Sequence, residues 1–321
     1  MANSRNVPLR TRRRRAPSAL LRTALSLALV ATLALVINRA IDLSGQAAGN
    51  RGHIAGAPVK AADAVPQQPS VPGLEGSACV SYAPTHGHLD RTVYIDAGHG
   101  GLDPGVVGTT ASGRTVLEKD AALTVALRLA GLLRSDGYRV VMARTQDTTV
   151  LKLSAADSNY GAITSSAEHR DLAARAACSN AAGANVLVSI HFDGYSDPSV
   201  GGTETFYDAA RTFAAANRLL ATDLQAALVA RLGAADRGVW TDDQLAAPTL
   251  TGSGQSYNHL IELGPLSQGW VDNPSQMPGA LVEPLFVTNP AEALIASDPA
   301  GQQKIAEALE SGVLKFMTGP A

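Results

Sequence analysis

Beyond residue 90 the chain alternates between short apolar runs and longer amphipathic stretches. The short runs predict β-strands at 92–96, 138–143, 186–190, 203–207, 260–263 and 281–287. The longer stretches predict α-helices at 117–135, 166–182, 213–232, 291–296 and 302–316. Strands that alternate with helices of this length indicate an α/β fold, in which a mostly parallel, doubly wound sheet is flanked by helices.

The residues before this pattern differ in character. A basic cluster between Arg5 and Arg15 is followed by an uncharged apolar run from Thr23 to Ile37. This order is typical of an export signal, although Arg22 could snorkel and extend the run into an uncleaved membrane anchor. A basic arm before a buried helix is a third interpretation. We expect residues 1–42 to be a signal peptide or membrane anchor, with the remainder of the chain exported.

Residues 43–77 are rich in Ala, Gly, Pro, Gln and Val and show no periodicity, which predicts a disordered linker. Residues 78–318 should then form a single domain. The two cysteines, Cys79 and Cys178, both lie in this domain. Exported proteins meet an oxidising environment, so we expect a disulfide between them, with two unrelated buried thiols as the alternative.

Composition and charge narrow the class of partner. The chain has 321 residues, a formal net charge of −2 and only 4% aromatic residues. Domains that bind nucleic acids are usually strongly basic, so this balance argues against a nucleic-acid partner.

Two predicted strands end in a histidine. His99 lies in the glycine-rich turn that follows residues 92–96, and His191 comes directly after residues 186–190. Glu118 stands at the start of the first helix, where a carboxylate also complements the helix dipole. The carboxyl ends of strands are where α/β sheets place their chemistry. Two imidazoles and one carboxylate there predict a catalytic Zn²⁺ site with its fourth position open.

Zinc-dependent hydrolysis also needs a base beside the attacking water. Glu262 and Glu283 each lie in an apolar run, where a carboxylate is costly unless it is paired, protonated or close to a cation. Sequence chemistry alone does not distinguish these two candidates.

Four motifs occur in an order that resembles a known family: the string from Val93 to Gly108, the triplet Glu118-Lys119-Asp120, Ser189-Ile190-His191, and the run from Met277 to Glu283. Together they resemble the zinc-dependent N-acetylmuramoyl-L-alanine amidases, and in particular the exported single-domain members from mycobacteria and related actinobacteria. The resemblance implies that His99, Glu118 and His191 bind zinc and that Glu283 is the catalytic residue. Glu262 falls upstream of the last motif.

The resemblance further implies hydrolysis of the amide between the lactyl group of N-acetylmuramic acid and L-alanine. It implies that peptidoglycan and muropeptides are the partners and that the protein acts in the periplasm or cell wall. We expect a monomer, in which only residues 1–42 would contact a membrane. A wall-binding protein without turnover, or a zinc deacetylase or peptidase acting on another wall amide, are the alternatives. Asp193 stands where the family commonly has asparagine, and Pro284-Leu285-Phe286 replaces its usual Leu-Gly-Phe, which bears on substrate preference.

The remaining polar residues have more ordinary interpretations. We expect His86 and His88 to lie in a solvated loop rather than to bind metal, and Glu204 either to orient a site residue or to be a simple strand carboxylate. Bracing or structural roles are expected for Asp96, Arg175, His169 and His259. The polar loops at 147–165 and 241–257 are expected to wall a substrate groove.

Overall fold

The computed structural model describes residues 71–245, 249–251 and 253–319. Its strands are β1 (Ala78–Tyr82), β2 (Thr92–Ala97), β3 (Val107–Thr109), β4 (Thr115–Leu117), β5 (Arg139–Arg144), β6 (Ser158–Asn159), β7 (Ala162–Ile163), β8 (Val186–Ile190), β9 (Thr203–Tyr207), β10 (Asp236–Thr241), β11 (Thr249–Leu250), β12 (Ser256–Tyr257) and β13 (Gly279–Glu283). Its α-helices are α1 (Glu118–Ser135), α2 (Ser165–Ala181), α3 (Ala214–Leu232), α4 (Pro290–Ser297) and α5 (Pro299–Thr318).

The predicted signal or anchor, residues 1–42, and residues 43–70 of the predicted linker lie outside the described residues. No helix within the described part combines the length and apolar character needed to cross a bilayer. The last linker residues already contact the domain, because Leu74 is buried and forms a bridge with Leu151.

Seven strands form one mixed sheet in the order β1-β5-β2-β8-β13-β9-β10. The four central strands, β5, β2, β8 and β13, run parallel to one another. Strand β1 is antiparallel to β5, and β9 is antiparallel to β13 but parallel to β10. The predicted α/β class and mostly parallel sheet are therefore confirmed, with reversed strands at both sides.

Alternate residues of the central strands enter two different cores, as expected for a sheet covered on both faces. Ile95 and Val188 pack with helices α1, α3, α4 and α5 on one face. Tyr94 and Leu187 pack on the other face with α2 and with the segment around Leu263. The carboxyl ends of β2, β8 and β13 meet at one edge of the sheet, where the candidate site lies.

Two sequence-based predictions need correction, and two edge strands were missed. Residues 260–263 form turns rather than a strand, with the amide of Gly264 bonded to the carbonyl of Leu260 at 2.7 Å. The strand predicted at 281–287 spans Gly279–Glu283 and ends at the residue before Pro284. The edge strands β1 and β10 were not predicted, because neither has the apolar or alternating pattern of the central strands.

The predicted disulfide is confirmed. Cys79 in β1 and Cys178 in α2 are bonded, with their Cα atoms 5.7 Å apart, and both are fully buried. The bond ties the edge of the sheet to the helix that covers it.

Replacing both cysteines by alanine should reduce the free energy of unfolding by about 2–5 kcal/mol, because the unfolded chain regains the entropy of a long open loop. Urea unfolding of the two proteins measures the difference. Reductant should move the wild-type midpoint towards that of the variant and leave the variant unchanged; equal midpoints in oxidising buffer would contradict a stabilising role.

Candidate metal centre and active-site groove

His99, Glu118 and His191 converge at the carboxyl edge of the parallel strands. Nε2 of His99 lies 2.9 Å from Oε1 of Glu118, and Nδ1 of His191 lies 3.0 Å from the same oxygen. The two imidazole nitrogens are 3.1 Å apart. One ligand atom from each side chain therefore points to a common centre.

The turn after β2 allows this close approach. A Cβ atom on Gly98 would overlap the ring of His191, and one on Gly105 would overlap Glu118. His99 itself has a φ of 58°, a left-handed conformation that non-glycine residues rarely adopt and that often marks a functional site. The sequence thus places glycine where a side chain would displace a neighbour.

Further hydrogen bonds fix the orientation of these side chains. Oδ2 of Asp103 lies 2.7 Å from Nδ1 of His99, which leaves Nε2 free to face the centre. The Glu118 carboxylate accepts hydrogen bonds from the amides of Val106 at 2.7 Å and Phe192 at 3.0 Å. Asp103 was not singled out from sequence, since an aspartate in a glycine-rich turn has no distinctive pattern.

The electrostatics of the cluster favour a positive charge. Burial alone would lower the pKa of His99, but the carboxylates of Asp103 and Glu118 outweigh it and raise that pKa to about 10. Burial would raise the pKa of Glu118, yet His191 and His99 hold it well below its usual range. The carboxylates of Asp103 and Glu118 thus place negative charge beside the two imidazoles.

The donor set fits a metal ion. Histidine nitrogens and a carboxylate oxygen are the usual zinc donors, at about 2.0–2.2 Å from the ion. Tetrahedral ligands at that distance lie about 3.3–3.6 Å from one another, by simple geometry from the same bond lengths. The observed separations of 2.9–3.1 Å are a few tenths of an ångström shorter than this range, and the three residues form one of the two groups in the described residues that could hold a metal.

Arg175 braces this edge of the sheet from α2. Its guanidinium contacts Asp96 at 2.6 Å and Asp171 at 3.0 Å, and all three side chains are buried. It also donates to the carbonyls of Ala97 at 2.9 Å and His99 at 2.7 Å. The arginine therefore links the helix to the turn that carries the first histidine.

Arg175→Met should reduce the free energy of unfolding by about 3–5 kcal/mol, because two buried carboxylates would lose their counterion. Arg170→Met provides a control on the same helix: the side chain of Arg170 is about half exposed (49%) where it pairs with Asp157, and ion pairs open to solvent contribute about 0–1 kcal/mol. Denaturant unfolding compares the two. Similar losses in both variants would contradict this interpretation.

Glu283 lies at the end of β13, beside His191 on the neighbouring strand. Val282 and Ile190 are partners in the parallel register, and the amide of His191 donates to the carbonyl of Val282 at 3.0 Å. Burial raises the pKa of Glu283 well above its usual range, and Glu118 is the charge that adds most to this effect. Its Oε2 has no hydrogen-bond partner among the described residues.

Two more carboxylates, those of Glu204 and Asp193, lie near Glu283. Glu204 of β9 is its register partner and forms an ion pair with Nε of Arg237 at 3.0 Å. Burial and a hydrogen bond with Glu204 raise the pKa of Asp193 to about 7. Asp193, which stands where the resembled family commonly has asparagine, therefore interacts with Glu204, the register partner of Glu283.

A cavity of about 190 Å³ opens beside the two histidines. Its walls include His99, His191, Thr149, Glu168, Glu262 and Leu281. Two loops were expected to wall a groove. The loop at 147–165 contributes Thr149 and Ile163 to the cavity wall. The other wall is formed by residues 260–263, which come just after the second loop, 241–257.

Glu262 occupies a different environment from Glu283. Burial, together with the nearby Asp96, raises the pKa of Glu262 well above its usual range, and Arg175 opposes the shift. It shares a hydrogen bond with Asp96. Glu262 is thus part of the buried cluster around Arg175. The charge that most affects the pKa of Glu283, by contrast, is that of Glu118.

Three other histidines among the described residues lie apart from this centre. His86 and His88 are exposed in the loop before β2, and His88 lies 3.7 Å from Asp90. Nε2 of His169 lies 2.9 Å from the carbonyl of Trp270.

Comparison with known proteins agrees with this geometry. The family model of N-acetylmuramoyl-L-alanine amidases matches residues 93–315. The germination-specific N-acetylmuramoyl-L-alanine amidase of Bacillus subtilis is 30% identical over 228 residues, which cover 71% of this chain and 80% of that protein. N-acetylmuramoyl-L-alanine amidase LytC of the same organism is 29% identical over 229 residues, or 71% of this chain but only 36% of LytC.

A solved structure gives the same result. The N-acetylmuramoyl-L-alanine amidase from Clostridium difficile 630 superposes with a TM-score of 0.52 at 28% identity, covering 72% of this chain and 98% of that one. The matched family model covers more than half of the chain and includes every residue of the candidate site. The resemblance seen in the four sequence motifs is thereby confirmed: this protein belongs to the N-acetylmuramoyl-L-alanine amidase family.

Proposed function

We propose that this protein is a zinc-dependent hydrolase that cleaves the amide between the lactyl group of N-acetylmuramic acid and L-alanine in peptidoglycan. The observation that carries the proposal is the convergence of His99, Glu118 and His191 beside a cavity, with the buried Glu283 on the adjacent strand. The names of its relatives point to the same amide.

In this proposal His99, Glu118 and His191 hold the ion. When bound there, Zn²⁺ polarises the amide carbonyl and lowers the pKa of water. Its positive charge would also offset the neighbouring carboxylates that raise the pKa of Glu283, so that Glu283 could ionise.

Glu283 then acts as the general base and acid. It accepts a proton from the attacking water and delivers it to the alanine nitrogen as the amide C–N bond breaks. The lactyl group leaves as a carboxylate and the stem peptide leaves with a free amine. Asp103 holds the orientation of His99 during the reaction, and Arg175 fixes the turn on which His99 lies.

We also propose that the protein acts outside the plasma membrane, in the periplasm or cell wall. The basic and apolar pattern of residues 1–42 supports export, and the buried disulfide between Cys79 and Cys178 fits an oxidising compartment.

Digestion of purified cell wall tests the proposal. The expected result is the appearance of free α-amino groups on L-alanine, identified by mass spectrometry after labelling, and their absence when the protein is omitted. Release of acetate would indicate a deacetylase, and new amines on other residues would indicate a peptidase. Binding to the wall without any new amine would indicate a non-catalytic wall protein. Each of these three results would contradict the proposal.

A further inference from the structure

A second group of side chains with metal-binding chemistry lies away from the candidate active centre. Asp208 follows β9, Asp242 begins the turn after β10, and His259 follows β12. Nδ1 of His259 is 2.8 Å from Oδ2 of Asp208 and 3.3 Å from Oδ1 of Asp242. Both aspartates are buried, while about a quarter (26%) of the His259 side chain is exposed.

One carboxylate oxygen in this cluster is unsatisfied. Oδ1 of Asp208 accepts a hydrogen bond from the amide of Ala210 at 2.7 Å, and Oδ2 of Asp242 accepts one from the amide of Leu260 at 3.0 Å. Oδ2 of Asp208 is buried, and its 2.8 Å approach to Nδ1 of His259 does not have hydrogen-bond geometry, so it forms no hydrogen bond with the described residues. Buried polar atoms without a hydrogen bond are rare, and a bound ion is one of the standard explanations.

The same kind of contact occurs at the first centre. Nε2 of His99 and Oε1 of Glu118 approach to 2.9 Å, a separation that suits two ligands of one ion. The approach of Asp208 Oδ2 to His259 Nδ1, at 2.8 Å, repeats this spacing between an imidazole nitrogen and a carboxylate oxygen.

The charges also call for a cation. Two carboxylates are buried next to each other, with one oxygen of each within 4.8 Å of the other. The nearby Arg211 gives its hydrogen bonds to the backbone carbonyls of Leu263, Gly264 and Ser275 instead of to either aspartate. Buried like charges are costly unless a cation or a proton compensates them.

We propose that Asp208, Asp242 and His259 form a second Zn²⁺ site. One imidazole nitrogen and two carboxylate oxygens are ordinary zinc donors. The sequence analysis expected a structural role for His259. In this proposal His259 would have a structural role by binding the metal.

The site would stabilise one wall of the groove. It connects the ends of β9 and β10 to the segment that begins at Leu260. Residues 260–263 of that segment line the cavity beside His99 and His191. A metal at this position would therefore be structural, and its binding does not depend on the proposed amidase reaction.

Metal counting on the purified full chain tests the proposal. After equilibration with Zn²⁺ and removal of free ion, mass spectrometry of the metal should find about two zinc ions per wild-type chain, one for each group of donors. His191→Ala and His259→Ala should each retain about one, and the double variant should retain none. His169 belongs to neither cluster, so His169→Ala should retain both zinc ions.

A second measurement guards against a folding defect in the His259 variant. In the His191→Ala background, where the first centre is disabled, Zn²⁺ should raise the melting temperature by several degrees through binding to the native state. Asp208→Asn in that background should abolish the rise.

The outcomes separate the two centres. No zinc on His191→Ala and no thermal shift would overturn the second site while leaving the first intact. An unchanged zinc count in His191→Ala, with a loss in His259→Ala, would support the second site and count against the proposed active centre.

Discussion

His191→Ala should lose one zinc ion per chain relative to the wild type and lose amidase activity by about a thousandfold or more. The magnitude follows because metal polarisation contributes several kcal/mol and each 1.36 kcal/mol is tenfold in rate. His191 supplies one of three donor atoms that lie within 3.1 Å of one another, so its loss leaves an incomplete site. Metal analysis and amine release from cell wall, measured on the same preparation, test both effects.

His169→Ala is the matched control, because it removes a histidine that packs on Trp270 instead of the centre. It should retain both its metal and its activity. A chelator should inactivate the wild type, and added Zn²⁺ should restore it. Full activity and unchanged zinc content in His191→Ala would show that the three residues are not the ligands.

Glu283→Gln should retain zinc and lose turnover by about 10²–10⁴, the usual contribution of general acid–base catalysis. Glutamine preserves the shape of the side chain but cannot accept the proton of the attacking water. The site around Glu283 should tolerate the change, since Oε2 of Glu283 has no hydrogen-bond partner among the described residues to lose. Turnover, zinc content and the melting temperature should be measured together.

Glu262→Gln is the natural comparison because both glutamates are buried and both have a raised pKa. Burial and the nearby Asp96 raise the pKa of Glu262 well above its usual range, which favours the neutral form that glutamine resembles. We expect a modest change in stability or substrate affinity. Loss of turnover in Glu262→Gln alone, with zinc retained, would exchange the roles of the two residues.

The central strands and the long helices could be predicted from the sequence because their signals are local. The run that forms β8 is almost entirely apolar, and α1 repeats its apolar residues at helical spacing. The positions of His99 and His191 followed from these elements, since both residues stand just beyond a strand.

The features that could not be predicted depend on contacts between residues that are far apart in the sequence. Three of the residues at 260–263 are apolar and line a cavity, and a short buried turn has the same composition as a short buried strand. Strand β1 is short and owes its place to pairing with β5 and to the disulfide, neither of which leaves a local pattern. The cluster of Asp208, Asp242 and His259 joins three separate segments, and no motif connects them.

The bond that the protein cleaves is tested most directly by hydrolysis in ¹⁸O-labelled water. Purified muropeptides that carry N-acetylmuramic acid linked to L-alanine are incubated with the protein, and both products are weighed by mass spectrometry. The proposed reaction adds the oxygen of water to the lactyl carbonyl, so the label should appear in the carboxylate of N-acetylmuramic acid, and the released peptide should be unlabelled with a free amine on L-alanine. Label in a carboxylate of the stem peptide, or in acetate, would contradict the proposed function.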